Sequence, residues 1–164
     1  MTKEQYLKIT EPLRQDSKKA EKVRSINHIL TVLVFCIYPL YLLVLFFERD
    51  AWFWRALLVP AVSFVLLTVV RRIINAPRPY ERFGIPPVID KDTKGKSFPS
   101  RHVFSVFIIA MTIFYAHPGP GIILGFIGIL LGITRVRAGV HEPRDVIAGA
   151  ISGILCGLVG YYLI

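Results

Sequence analysis

"ILTVLVFCIYPLYLLVLFF", residues 29–47, holds nineteen consecutive residues without a charge. An α-helix needs about 20 such residues to cross the hydrocarbon core of a bilayer. The run is longer than the apolar core of a signal peptide, and Phe47-Glu48-Arg49 follows it in place of a small-residue cleavage site, so it is expected to remain in the mature protein. Outward from it, the whole chain has the same character. Its 164 residues are 54% hydrophobic with a mean hydropathy of +0.54, more apolar than one soluble core of that size requires.

Four further runs complete the pattern. Trp52–Val70 carries only Arg55, Val103–Ala116 is short but charge-free, Pro118–Thr134 is glycine-rich and charge-free, and Val146–Ile164 has no charge. The expected fold is therefore all-α, an integral membrane helical bundle of about five transmembrane helices. Trp52 and Trp54 before the second span, and Tyr161 and Tyr162 near the end of the fifth, suit the aromatic belts at the water interface. Cys36 and Cys156 both fall inside spans and imply neither a disulfide nor a metal site. No internal repeat or second soluble domain is visible, so residues 26–164 are read as one transmembrane domain behind a basic arm, residues 1–25. Tyr6, Ile9 and Leu13 give that arm a narrow apolar stripe. An interfacial helix and a solvated tail broken at Pro12 both fit it.

The net charge of +9 is informative through its placement. With five spans, the arm (seven Lys or Arg), residues 71–101 (eight) and residues 135–145 (three) share one face, which leaves only Arg49 and Arg55 on the other. Setting aside the four arginines 71, 78, 101 and 135 leaves 14 positive charges against two, so the positive-inside rule puts that face in the cytoplasm, with an extracytoplasmic site as the alternative. A bilayer, and no nucleic acid, is the expected macromolecular partner.

The same face collects the residues capable of chemistry, in three stretches. "RRIINAPRPY" places Arg71 and Arg78 at a helix exit stiffened by Pro77 and Pro79. "FPSRH" makes Ser100 an N-cap for a helix that begins Arg101-His102, a positive helix end suited to phosphate. "TRVRAGVHEPRDVIAG" sets Arg135 six residues before His141 and Asp145 four after it, with Pro143 suited to a helix's first turn. Asp145 is thus placed to accept a hydrogen bond from His141 and fix its tautomer. Singly, these are topology signals, caps and interface contacts. Together they supply arginines for non-bridging phosphate oxygens, one histidine to attack phosphorus and another to protonate the departing oxygen. The residues alone do not decide which histidine attacks.

In order and spacing the chain resembles the type 2 phosphatidic acid phosphatase superfamily, whose pattern reads K-x6-R-P, then P-S-G-H, then S-R-x5-H-x3-D, matched here over residues 71–145. The resemblance implies a metal-independent phosphatase without a cofactor. His141 would form a phosphohistidine, Asp145 would orient it, and His102 would be the general acid. Arg71, Arg78, Ser100 and Arg135 would bind the phosphate. It also implies a lipid substrate, such as phosphatidic acid, phosphatidylglycerol phosphate or undecaprenyl diphosphate, in a bacterial cell membrane. Three positions depart from the pattern: Arg71 for Lys, Arg101 for Gly and Thr134 for Ser. Arg101 is the largest change, a bulky cation that either adds a phosphate contact, crowds the pocket or turns out to lipid headgroups. Two rivals stand beside this reading. One is a metal site built from His102, His141, Glu142 and Asp145. The other is a lipid-phosphate binder or transporter that keeps the pocket without turnover. The oligomeric state and the role of the Glu81–Lys96 loop, a lid or a link, are left open.

Overall fold

The computed structural model describes residues 1–163, and its chain is helical with no strand among them. Seven α-helices follow one another: α1 (Lys3–Arg14), α2 (Ser17–Phe47), α3 (Trp52–Ile74), the short α4 (Pro79–Phe83), α5 (Arg101–Ala116), α6 (Pro118–Arg137) and α7 (Pro143–Leu158), with a π-helical turn at Val159–Leu163. Four elements are long and apolar enough to cross a membrane, α2, α3, α6 and α7 with its π-turn, and α5 is a shorter apolar helix. The protein is an integral membrane helical bundle, as the charge-free runs predict. Ile164, the last residue of the fifth run, lies outside the described residues.

The helices extend past the apolar runs wherever polar residues continue the turn. α2 begins twelve residues before Ile29, and its 31 residues span about 46 Å, well beyond a ~30 Å hydrocarbon core. Residues 17–25, read as part of the arm, are thus the outer end of the first membrane helix. Only α1 is a separate element. Its start is fixed by a capping box in which Thr2 Oγ1 accepts from the Gln5 N–H and the Gln5 side chain accepts from the Thr2 N–H. Pro12 lies inside the helix without ending it.

α1 is neither a solvated tail nor a helix lying free on the membrane. Tyr6, Thr10 and Leu13 are buried, with Ile9 half-buried. Leu13 and Val23 form a small core with Val88, Ile89, Ala138 and Val140. Tyr6 Oη donates to the carbonyl oxygens of Ile85 (3.2 Å) and Gly139 (3.4 Å). Gly139 has φ +76°, and a Cβ there would lie 2.6 Å from Tyr6 Oη, so glycine is required twice over. The arm therefore packs on the face that carries the sequence motifs.

α5 is the central helix. Val103, Phe104, Val106, Ile108, Ile109, Ala110, Thr112 and Ile113 are all buried, as befits a helix apolar all round. α7 meets it backbone to backbone, through glycines four residues apart. Cβ atoms on Gly149 and Gly153 would lie 2.6 Å from the Ser100 carbonyl oxygen and 2.8 Å from that of Phe104, closer than van der Waals contact allows. That approach brings the N-terminal ends of α5 and α7 together, and Ser100 N donates to the Asp145 carbonyl at 2.8 Å.

Candidate active site

Four helix ends meet on the motif face. α3 stops where Asn75 adopts a left-handed conformation (φ 42°, ψ 39°), which leaves Arg71 in its last turn, 6% exposed. The Arg71 guanidinium donates to the backbone carbonyls of Lys96, Ser97 and Pro99. Arg78, also 6% exposed, donates from Nε to Gly95 O (3.2 Å) and from a terminal nitrogen to Val140 O (3.3 Å). Both arginines therefore strap the chain segments that carry Ser100 and His141.

Arg135, in the last turn of α6, is 5% exposed, and its Nε has no hydrogen-bond partner among the described residues. Ser100 occupies the N-cap position of α5, as its sequence predicts, yet its hydroxyl makes no cap hydrogen bond and is also buried without a partner. Leaving buried polar atoms unpaired costs free energy, about 1–3 kcal/mol for a neutral group and more for a charged one. An anion in the cavity that Arg135 lines would relieve it.

His141 follows α6 and precedes Pro143, the first residue of α7. Its Nδ1 lies 3.3 Å from Asp145 Oδ2, the pairing expected from the four-residue spacing. The same carboxylate oxygen accepts from the Glu142 N–H at 3.0 Å and from Ser97 Oγ at 2.5 Å. Three donors on one oxygen fix the carboxylate, and the carboxylate fixes the imidazole with Nδ1–H toward Asp145 and Nε2 free. Burial pushes the His141 imidazole down to about 4, reinforced by the Arg78 charge and opposed by its bond to Asp145, so it is neutral at physiological pH.

Six of the eight residues singled out in the sequence, Arg71, Arg78, Arg101, His102, Arg135 and His141, line one cavity of about 230 Å³. Asp145 and Ser100 are not in its wall. Asp145 stands behind His141, and Ser100 is fully buried beneath the start of α5. Thr68, Arg72, Lys91, Thr93 and Lys96 complete the lining, so the Glu81–Lys96 loop contributes part of the cavity wall. The loop is anchored by Glu81, whose Oε2 accepts from the N–H groups of Gly95 (2.8 Å) and Arg78 (3.3 Å). Sequence reasoning missed Ser97, the hydroxyl that bridges Asp145 and His141. Its only signal is its place three residues before Ser100.

His102, His141, Glu142 and Asp145 do not gather into a metal-holding group, and no such group of His, Cys, Asp and Glu forms among the described residues. Glu142 pairs instead with Arg82 and Arg144, each at 3.0 Å.

Known proteins resemble this chain in sequence and in fold. The family model of the PAP2 superfamily matches residues 52–164, all but the arm and the first span. Among curated proteins, the bacitracin transport permease protein BcrC of Bacillus licheniformis is 31% identical over 105 residues, 62% of this chain and 52% of that protein. An undecaprenyl-diphosphatase of Sulfolobus acidocaldarius is 32% identical over 117 residues, 70% of this chain and 57% of that protein. The matches thus span little more than half the length of these relatives. Among solved structures, LpxE of Aquifex aeolicus superposes with a TM-score of 0.62 at 28% identity, covering 85% of this chain and 92% of the other. A PAP2-type phosphatidylglycerolphosphate phosphatase from Bacillus subtilis superposes with a TM-score of 0.71 at 24% identity, covering 96% and 83%, and testifies to the fold.

Proposed function

The chain belongs to the PAP2 superfamily, and on that premise we propose that it is a membrane phosphatase that removes a terminal phosphoryl group from a lipid phosphate through a phosphohistidine. The observation that carries this reading is His141, neutral and held by Asp145 with Nε2 free, in the wall of a cavity lined by guanidiniums. Nε2 attacks phosphorus as the bond to the lipid oxygen breaks, and His102 passes to that oxygen a proton that it has taken from the bound phosphate. A water then yields a proton to the now neutral His102 and attacks the phosphohistidine, which releases inorganic phosphate and restores His141. Arg71, Arg78 and Arg135 hold the non-bridging oxygens as charge builds on them.

The substrates in view are phosphatidic acid, phosphatidylglycerol phosphate and undecaprenyl diphosphate, a choice supported by a cavity formed at the ends of apolar helices, which suits a phosphate carried in a lipid headgroup. The excess of positive charge on the motif face supports a cytoplasmic orientation.

The test is phosphate release from these three lipids by detergent-purified protein, with EDTA present, beside a His141→Ala variant. Release that survives EDTA and vanishes in the variant supports the reading. Release lost to EDTA but kept by the variant overturns it. A second reading, a binder or transporter of lipid phosphates, draws on the relative named a transport permease. Saturable lipid binding without release of phosphate from any of the three would favour it.

A further inference from the structure

The cavity carries its cations in two tiers. The inner tier is Arg71, Arg78 and Arg135, each 5–6% exposed. Outside them, Arg72, Lys96 and Arg101 are exposed and Lys91 is half-buried, although all four line the same cavity. None of these four is ion-paired with a carboxylate among the described residues. Lys91 faces Arg78, Arg135 and Arg101, with Asp92 as its acidic neighbour, and burial followed by those three charges lowers its proton affinity. A phosphomonoester, with about two negative charges, is met by the inner tier alone. The outer tier is then left over.

Arg101 shows where the surplus charge lies. Its guanidinium sits 5.5 Å from the centre of the Phe64 ring on α3. Arg101 and His102 line both the cationic cavity and a largely apolar groove of about 280 Å³, whose wall includes Val34 and Phe35 of α2, Phe64 of α3 and Val106 of α5. A lipid with its chain in that groove and its terminal phosphate at His141 must thread the group between them past Arg101. In phosphatidic acid that group is neutral, and in phosphatidylglycerol phosphate its one charge is a phosphodiester set off from the terminal phosphate by a glycerol. In a lipid diphosphate it is a second phosphate, and a cluster of unpaired cations matches it.

We propose that Arg101 and Lys91 form a subsite for the second phosphate of a lipid diphosphate, and that this subsite selects diphosphates over monophosphates. The proposal rests on the phosphatase reading above. In the reaction, Nε2 of His141 bonds to the terminal phosphorus, the bond from that phosphorus to the bridging oxygen breaks, and the electron pair stays on the bridging oxygen. The lipid monophosphate so formed remains against Arg101 and Lys91 until it leaves.

The experiment uses one hydrocarbon chain in two forms, farnesyl diphosphate and farnesyl monophosphate, with the full-length protein in detergent. For wild type, Arg101→Gly, Lys91→Gln and the double variant, kcat/KM is measured on both lipids. Dissociation constants are measured in parallel in a His141→Ala background. Wild type should prefer the diphosphate about tenfold or more, and the double variant should lower the ratio of diphosphate to monophosphate about tenfold in kcat/KM and in affinity. An affinity ratio that both single variants and the double variant leave at the wild-type value overturns the subsite. Absence of turnover on both lipids, with the affinity ratio shifted as expected, would sink the phosphatase reading and leave the subsite standing.

Discussion

Replacing Gly149 by alanine tests how the site is held together. The added Cβ would lie 2.6 Å from the Ser100 carbonyl oxygen and 3.3 Å from Phe104 N, where ordinary contact begins at 3.4 Å. α7 and α5 must therefore separate by up to about 0.8 Å at this point. The carbonyl has little freedom to turn aside, because it accepts the Phe104 N–H at 3.0 Å, and the Ser100 N–H is itself bound to the Asp145 carbonyl at 2.8 Å. The wedge acts where α5 carries Ser100 and His102 and α7 carries Asp145. Overpacking of this kind costs about 1–3 kcal/mol. A displacement approaching 1 Å between reacting groups can lower a rate by about a hundredfold. The assay is phosphate release at saturating lipid beside thermal unfolding in detergent, with two companions. Gly153→Ala meets the Phe104 carbonyl at 2.8 Å one turn further from the site, and should lose comparable stability but less kcat. Gly125→Ala has nothing within 4 Å and should behave as wild type in both. Wild-type kcat and melting temperature for Gly149→Ala, or equal losses in Gly125→Ala, would refute the reasoning.

Further outcomes are expected at the histidine dyad and the arm. Asp145→Asn presents an amide to a site built for three donors and should lower kcat by on the order of 10²–10⁴-fold with a smaller change in KM, as steady-state kinetics would read. His141 has an ordinary value of 6.5 that is pushed down to about 4 in the fold, so between those pH values the unfolded chain takes up a proton that the folded protein refuses. Stability should accordingly fall as the pH drops through this window, by up to about 3 kcal/mol, and unfolding followed at pH 7 and pH 5 should show a shallower dependence in His141→Gln. Tyr6→Phe removes the hydroxyl bound to the Ile85 and Gly139 carbonyls and should cost about 1 kcal/mol, whereas Tyr6→Ala should cost about 3–5 kcal/mol by leaving a cavity. Equal melting temperatures for these two variants would show that α1 is not packed as described.

Which parts of this architecture were legible in the sequence follows from the range of the forces involved. Spans were legible because a bilayer imposes a length on every apolar run, and α3, α5 and α6 begin or end within a few residues of the charges that bound those runs. The pairing of His141 with Asp145 was legible because four residues across a helix start is a local distance. Ser97 was not, since its hydroxyl reaches Asp145 across 48 residues, and only the junction of α5 with α7 makes them neighbours. The arm was illegible for the same reason. A stripe of Tyr6 and Leu13 reads alike on a lipid surface and on protein, and what distinguishes them is Gly139, more than a hundred residues away, whose left-handed turn admits the tyrosine hydroxyl. Arg71 and Arg78 were found for their charge, but their hydrogen bonds to the carbonyls of Gly95, Lys96, Ser97, Pro99 and Val140 give them a second task. Guanidiniums partly committed to backbone have fewer donors for a ligand, and this turns attention to Arg135. Its Nε has no partner among the described residues, so of the three buried arginines it has the most to gain from a bound phosphate.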